Sequence, residues 1–322
     1  MKNDHMTSST MQSGSAVLLG LSLALAATST ALANDTVKVF ILAGQSNMEG
    51  HGKVDAEQNA NQGKGSLEWL VGNRATAKQF KHLVDAKGSW VARDDVQIWY
   101  LGRKGSLSPD FGFRKGFIGP ELGFGYVVGN AFDEPVFLIK LAWGGKSLAK
   151  DFRPPSSGGE VGPYYKQLLK LTKEVLDDAV ALFPQYADRK LELVGIGWHQ
   201  GWNDRVNQEF NDAYETNMAN FIHDIRKGLG SPNLPFVIAE TGMSGREEKH
   251  PRALSLMTAQ AAVAKHDEFQ GNVAFVGTKE FFRPKAASPS GQAYHWNSNA
   301  ETYYLIGEGM GKAMLRLIKG KE

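Results

Sequence analysis

Short apolar runs rich in β-branched residues alternate with amphipathic stretches along almost the whole of this sequence. The runs are Val37–Leu42, Val96–Leu101, Val136–Leu141, Leu191–Ile196, Phe236–Ala239 and Val273–Val276. They lack the polar alternation of a half-exposed strand, so they read as strands buried on both faces. Between them, Tyr164–Phe183 repeats Leu168, Leu171, Val175, Ala179 and Leu182 at helical spacing, with Pro184 as a stop. Asn207–Leu229 does the same with Phe210, Tyr214, Met218, Phe221, Ile222 and Ile225, and Ala253–His266 and Ala300–Ile318 are two further helices. This order predicts an α/β, three-layer α/β/α sandwich around a parallel, flavodoxin-like sheet of about five strands. Two stretches break the pattern, at about 50–95 and 102–119, and read as long surface loops of a kind that often carries function.

The first residues follow a different logic. A weakly basic start with Lys2 leads into the apolar run Ala16–Ala27 and then Ala31-Leu32-Ala33, an A-x-A cleavage pattern. The run is short for a membrane span, so residues 1–33 read as a signal peptide and 34–322 as a single domain, secreted or periplasmic. An uncleaved anchor is the alternative. No later stretch approaches membrane-spanning length.

Composition removes several function classes. With 36 basic and 34 acidic residues the net charge is +2, which gives no electrostatic case for nucleic acid. Cysteine is absent, so disulfides, thiol catalysis and zinc–cysteine sites are excluded. Histidines and carboxylates show no metal-ligand spacing such as H-E-x-x-H.

In parallel α/β sheets ligands sit beyond the carboxyl ends of the strands, so the residues there are the ones to inspect. They are Ala43–Met48, Ala142–Ser147, Gly197–Asp204 and, just before the last helix, Tyr294–Asn297. Together these segments hold a hydroxyl nucleophile, small backbone-exposing turns, side-chain amides and a histidine. That is the part list for acyl transfer.

Gly44-Gln45-Ser46-Asn47-Met48 resembles the nucleophile block of the sialate O-acetylesterase-like branch of the SGNH hydrolases, which includes carbohydrate esterase family 6. Gly201-Trp202-Asn203-Asp204 resembles its G-x-N-D block, Gly144-Gly145 its glycine block, and His295 with the terminal helix its histidine block. The four occur in family order over Val37 to Met314. The resemblance implies a serine carbohydrate esterase, without cofactor, that acts on an acetylated carbohydrate. Ser46 is then the nucleophile and His295 the base, with an oxyanion hole from Gly145 and Asn203, or Gln200 in place of Asn203. Gln45, His199 and Trp202 become possible substrate contacts. Each has a plainer reading. Ser46 suits a helix N-cap, Asn203 a turn, Gly144-Gly145 a tight turn, and His295 a satisfied, half-buried imidazole, with His199 its rival as base. Trp143, Trp202 and Trp296 are candidate platforms for sugar rings. Glu121 reads as a first-turn helix glutamate.

One position departs from the family pattern. The aspartate that usually stands three residues before the histidine is Gln292 here. Three explanations stay open. A carboxylate comes from elsewhere, with Glu280, Asp204 and Glu301 the candidates; the site runs as a Ser–His dyad; or the chain is a non-catalytic glycan-binding relic. A peptidase or thioesterase has no supporting feature. Sialic acid, xylan and marine polysaccharides are equally open as the acetylated sugar.

Overall fold

A computed structural model describes residues 35–320; the expected signal peptide lies outside them. Its centre is a seven-stranded sheet built from β1 (Thr36–Gly44), β2 (Arg93–Tyr100), β3 (Arg103–Leu107), β4 (Val136–Ala142), β5 (Lys190–His199), β6 (Phe236–Ala239) and β7 (Val273–Val276). The strand order is β3-β2-β4-β1-β5-β6-β7. All neighbours pair in parallel except β2 with β3.

The sheet has seven strands where about five are expected; β2 matches the apolar run Val96–Leu101, and β3, which no run announced, pairs with it as a hairpin. Taken alone, β4-β1-β5-β6-β7 has the 2-1-3-4-5 order of a flavodoxin-like sheet. The β2–β3 hairpin is added outside β4. Arg103-Lys-Gly-Ser-Leu107 escaped the sequence reading because an antiparallel edge strand needs no apolar run, and charge there guards the edge.

The pleat divides each central strand between two cores. In β1, Phe40 and Leu42 face one core while Val39, Ile41 and Ala43 face the other, all fully buried. Helices α2 (Pro120–Gly129) and α6 (Ala300–Lys319) cover the first face. Helices α3 (Pro163–Asp177), α4 (Tyr214–Gly228) and α5 (Pro251–Val263) cover the second. Proline opens α2, α3 and α5, where its missing N–H is harmless. The expected Tyr164–Phe183 helix divides at Asp178, and Asn207–Leu229 divides at Ala213. Helices α2 and α6 touch backbone to backbone. A Cβ on Gly307 would lie 1.9 Å from the Pro120 carbonyl oxygen, so only glycine permits this crossing.

No helix among the described residues is long and apolar enough to cross a membrane.

Candidate active site

The end of β1 builds the turn that carries Ser46. Gly44 adopts φ 155°, and a Cβ there would lie 2.2 Å from the His199 carbonyl oxygen, so β1 and β5 close together only through glycine. The chain then enters the one-turn helix α1 (Ser46–Glu49), which we number in front of α2. Ser46 is its first residue and only 9 % exposed.

Asn47 ties this turn to the histidine segment. Its amide donates to the Tyr294 carbonyl at 3.1 Å, and its oxygen accepts the Tyr303 hydroxyl of α6 at 2.7 Å. The backbone ahead of α6 is contorted. Trp296, Asn297 and Ser298 all have φ between 50° and 57°, a left-handed region that costs about 1–2 kcal/mol per residue. The Asn297 amide holds it by donating to the Arg283 carbonyl at 3.0 Å.

A cleft of about 360 Å³ opens here, lined by Gln45, Ser46, Glu49, His51, Gly144, Gly145, Trp202, Asn203, Tyr294 and His295. That is the small end of the range for ligand sites. Ser46, Gly145, Asn203 and His295 therefore meet in one place, from four separate segments. The Ser46 and His295 side chains are not hydrogen-bonded to one another, and such bonds often tighten only around substrate.

Gln45 and Asn203 lock the floor. Gln45 Oε1 accepts the N–H groups of Gly201 at 3.1 Å and Asn203 at 3.4 Å, and its Nε2 donates to Asn203 Oδ1 at 3.3 Å. Asn203 Nδ2 donates to the Gly145 carbonyl at 2.7 Å. Gln45, almost wholly buried, is thereby a brace more than a substrate contact.

Several sequence expectations need correction. Gln200 is no oxyanion donor, because its Nε2 is committed to Asp204 Oδ2 at 2.6 Å and to the Lys146 carbonyl at 3.0 Å. His199 does not reach the cleft. It is 0 % exposed, with Nδ1 3.3 Å from the Ala239 carbonyl oxygen, and burial pulls its pKa down to about 4. Trp296 is fully buried and Trp143 packs against Phe152 and Tyr164, so Trp202 alone of the three tryptophans lines the cleft. Trp202 sits 5.7 Å from Tyr294, ring centre to ring centre.

None of the candidate acids bonds to His295. Asp204 accepts the N–H groups of Leu148 and Ala149, both at 2.8 Å; burial pushes its carboxyl up to about 6 against these donors. Glu301 pairs with Arg283 at 2.8 Å and Glu280 with Arg246 at 2.5 Å. Gln292 is exposed and meets His295 only through its backbone carbonyl, which accepts the His295 N–H at 2.8 Å. The His295 imidazole itself is pulled to about 4 by burial, so it is neutral at physiological pH.

Two cleft residues carried no expectation. His51 stacks on His295, and Glu49 receives the Tyr100 hydroxyl at 3.3 Å while burial raises its pKa. The only sequence sign of either was that Glu49-Gly50-His51 follows the nucleophile block. Glu121 is more than a helix-start glutamate. It forms a fully buried pair with Lys140 of β4 at 2.6 Å, and Lys140 Nζ also donates to the Glu49 and Phe111 carbonyls, each at 2.7 Å.

A parallel α/β/α sandwich with a serine turn at the switch point and a histidine ahead of the last helix is the architecture of SGNH-type esterases. The chain belongs to the carbohydrate esterase, sialic acid-specific acetylesterase family, whose sequence model matches residues 36–316. It is accordingly a carbohydrate O-acetylesterase by class, and an acetylated carbohydrate is the substrate the family implies. Solved structures share the fold at low identity. A protein from Arabidopsis thaliana superposes with a TM-score of 0.55 at 18% identity, covering 86% of this chain and 97% of its own. NanS gives 0.54 at 14%, covering 88% and 98%. A carbohydrate acetylesterase from Xanthomonas citri gives 0.51 at 14%, covering 88% and 56%. No curated protein matches the sequence.

Proposed function

We propose that this chain hydrolyses O-acetyl esters on carbohydrate through a Ser46–His295 dyad. One observation carries the reading. Four segments distant in sequence bring a hydroxyl, a neutral imidazole, a glycine turn and an anchored amide to one cleft. Ser46 Oγ attacks the acetyl carbonyl while His295 takes its proton, then returns it to the departing sugar oxygen. Water attacks the acetyl-enzyme with His295 again as base and releases acetate. The developing oxyanion is met by the backbone N–H groups of Ser46 and Gly145 and by the Asn203 amide. Asn203 Nδ2 has two hydrogens, and the Gly145 carbonyl occupies only one. Trp202 and Tyr294 offer apolar ring faces beside the cleft mouth for the sugar.

The dyad reading follows from the commitments of Asp204, Glu280 and Glu301 to other partners and from the exposed Gln292. The N-terminal pattern ending at Ala33 supports export, so the substrate is an extracytoplasmic glycan. The experiment is turnover of 4-nitrophenyl acetate and of acetylated oligosaccharides by the wild type, Ser46→Ala and His295→Ala. Acetate release lost in both variants supports the proposal. Equal inertness of wild type and Ser46→Ala on the activated ester would sink it.

A further inference from the structure

The dyad leaves open what holds the His295 ring, since no carboxylate does. The His51 ring lies parallel to that of His295, with centroids 3.7 Å apart and planes 9° apart. On Phe113, His51 stacks again at 4.2 Å and 16°. His51 and Phe113 come from the two long excursions whose role the sequence left open. The excursions meet in a small antiparallel ribbon, where Gly52–Lys53 pairs with Phe117–Ile118 and the Phe113 N–H donates to the Gly50 carbonyl at 2.9 Å. Glycines flank His51 on both sides. A Cβ on Gly50 would lie 2.0 Å from Gly119 Cα, and one on Gly52 would lie 2.9 Å from Ile118 Cγ1. The backbone is therefore pressed into place on either side of the ring. His51 Nε2 is buried and has no hydrogen-bond partner among the described residues, while the ring stacks on both Phe113 and His295.

We propose that His51 is a positioning residue, whose ring, backed by Phe113, holds the His295 imidazole in the plane from which it takes the Ser46 proton. The inference rests on His295 being the base. A ring packed face to face at this distance cannot turn out of its plane without collision, which is the orientational part of what a carboxylate does in a triad. Stacked imidazoles also resist carrying two charges. Burial and the neighbouring His295 hold His51 at about 3, and Lys140 and Arg114 push it the same way. The other titratable groups around the pair are Glu49 and Tyr294 in the cleft and Tyr303 beside the His51 backbone. Burial holds His295 itself neutral, so it is free to accept a proton.

The test compares wild type, His51→Ala, His51→Phe and Ser46→Ala in the full chain, by steady-state hydrolysis of 4-nitrophenyl acetate with melting curves alongside. Aromatic stacking corresponds to about a two- to twelvefold bias in an equilibrium. His51→Ala is expected to lower kcat by about that factor with KM within about twofold. His51→Phe restores a stacking face without a ring nitrogen and is expected to recover kcat even if the alanine variant melts earlier. Wild-type kcat in His51→Ala overturns the proposal. So does a phenylalanine variant as impaired as the alanine one, which would make the ring nitrogen essential. Ser46→Ala separates the two levels of argument. Turnover surviving there overturns the serine mechanism and this inference with it. Turnover lost there but intact in His51→Ala overturns only the role of His51.

Discussion

Replacing Lys140 by methionine probes how the turn carrying Ser46 is anchored. The ammonium is fully buried and spends its three donors on the Glu121 carboxylate at 2.6 Å and on the Glu49 and Phe111 carbonyls at 2.7 Å. The second Glu121 oxygen accepts the Gly119 N–H at 2.7 Å, so the pair is fully hydrogen-bonded. Burial draws the Lys140 pKa below the ordinary lysine value while Glu121 opposes it. Methionine keeps the length of the stem but strands a buried carboxylate and two carbonyls. Breaking one side of such a pair costs about 3–5 kcal/mol. At about 2 cal/mol/K of unfolding entropy per residue, a chain of this length loses about 0.6–0.7 kcal/mol per kelvin, so the melting temperature should fall by about 4–8 °C. Removing both charges in Lys140→Met/Glu121→Leu should recover part of that loss, because the stranded charge disappears while the Glu49 and Phe111 carbonyls and the Gly119 N–H stay unpaired. One of the three acceptors is the last carbonyl of α1, so kcat should fall in the single variant as the turn carrying Ser46 loosens. Scanning calorimetry at pH 7 with a reversibility check reads the stability terms. A single variant melting within about 1 °C of wild type, or a double variant no better than the single, would refute the reasoning.

Other outcomes follow from the same geometry. Asn203→Ala removes a proposed oxyanion donor and should lower kcat by about 10²–10³ with little change in KM, read by steady-state kinetics. Gln292→Ala should leave kcat within about twofold, because the side chain is exposed and unbonded to His295. The acid limb of kcat/KM should fall through about pH 4, where burial places the His295 pKa, since the protonated ring cannot take a proton; a midpoint at the ordinary 6.5 in the pH–rate profile would contradict that placement. His199 is buried neutral, with its pKa lowered from 6.5 to about 4. Its unfolded form therefore binds the proton first, and stability drains away as pH falls from 6.5 towards 4, by about 3 kcal/mol at pH 4. A His199→Gln variant should accordingly lose less melting temperature than wild type between pH 7 and pH 4.

What was legible in the sequence is what the backbone decides locally. A buried parallel strand must end in a turn, and Gly44, Gly145 and Gly201 mark where the backbone beyond a strand takes a positive φ, at 155°, 70° and 154°. The residues just beyond such ends share one sheet edge by topology, which groups Ser46, Gly145 and Asn203 without knowing a single contact; His295, well past the last strand, joins them only through its resemblance to the family's histidine block. What stayed hidden depends on side-chain direction beyond the strand end and on pairings made far away. His199 and Gln200 lie at the same edge as Asn203, yet the end of β5 turns both inward, where Ala239, Lys146 and Asp204 claim them. His51 comes from a polar stretch without periodicity, ahead of the ribbon to Phe117–Ile118, and its ring stacks on His295 from far along the chain. Lys140 shows the intermediate case. A lysine inside an apolar run is itself a signal, because a charge there must be paired. Glu121 was equally visible in Gly119-Pro-Glu-Leu-Gly123, but nothing local joins the two. Their meeting requires α2 to lie across the face of β4, beside α6, which it touches backbone to backbone at Gly123 and Gly307. The pair that anchors the turn carrying Ser46 thus depends on how a distant helix packs on the sheet, which no motif around Ser46 records.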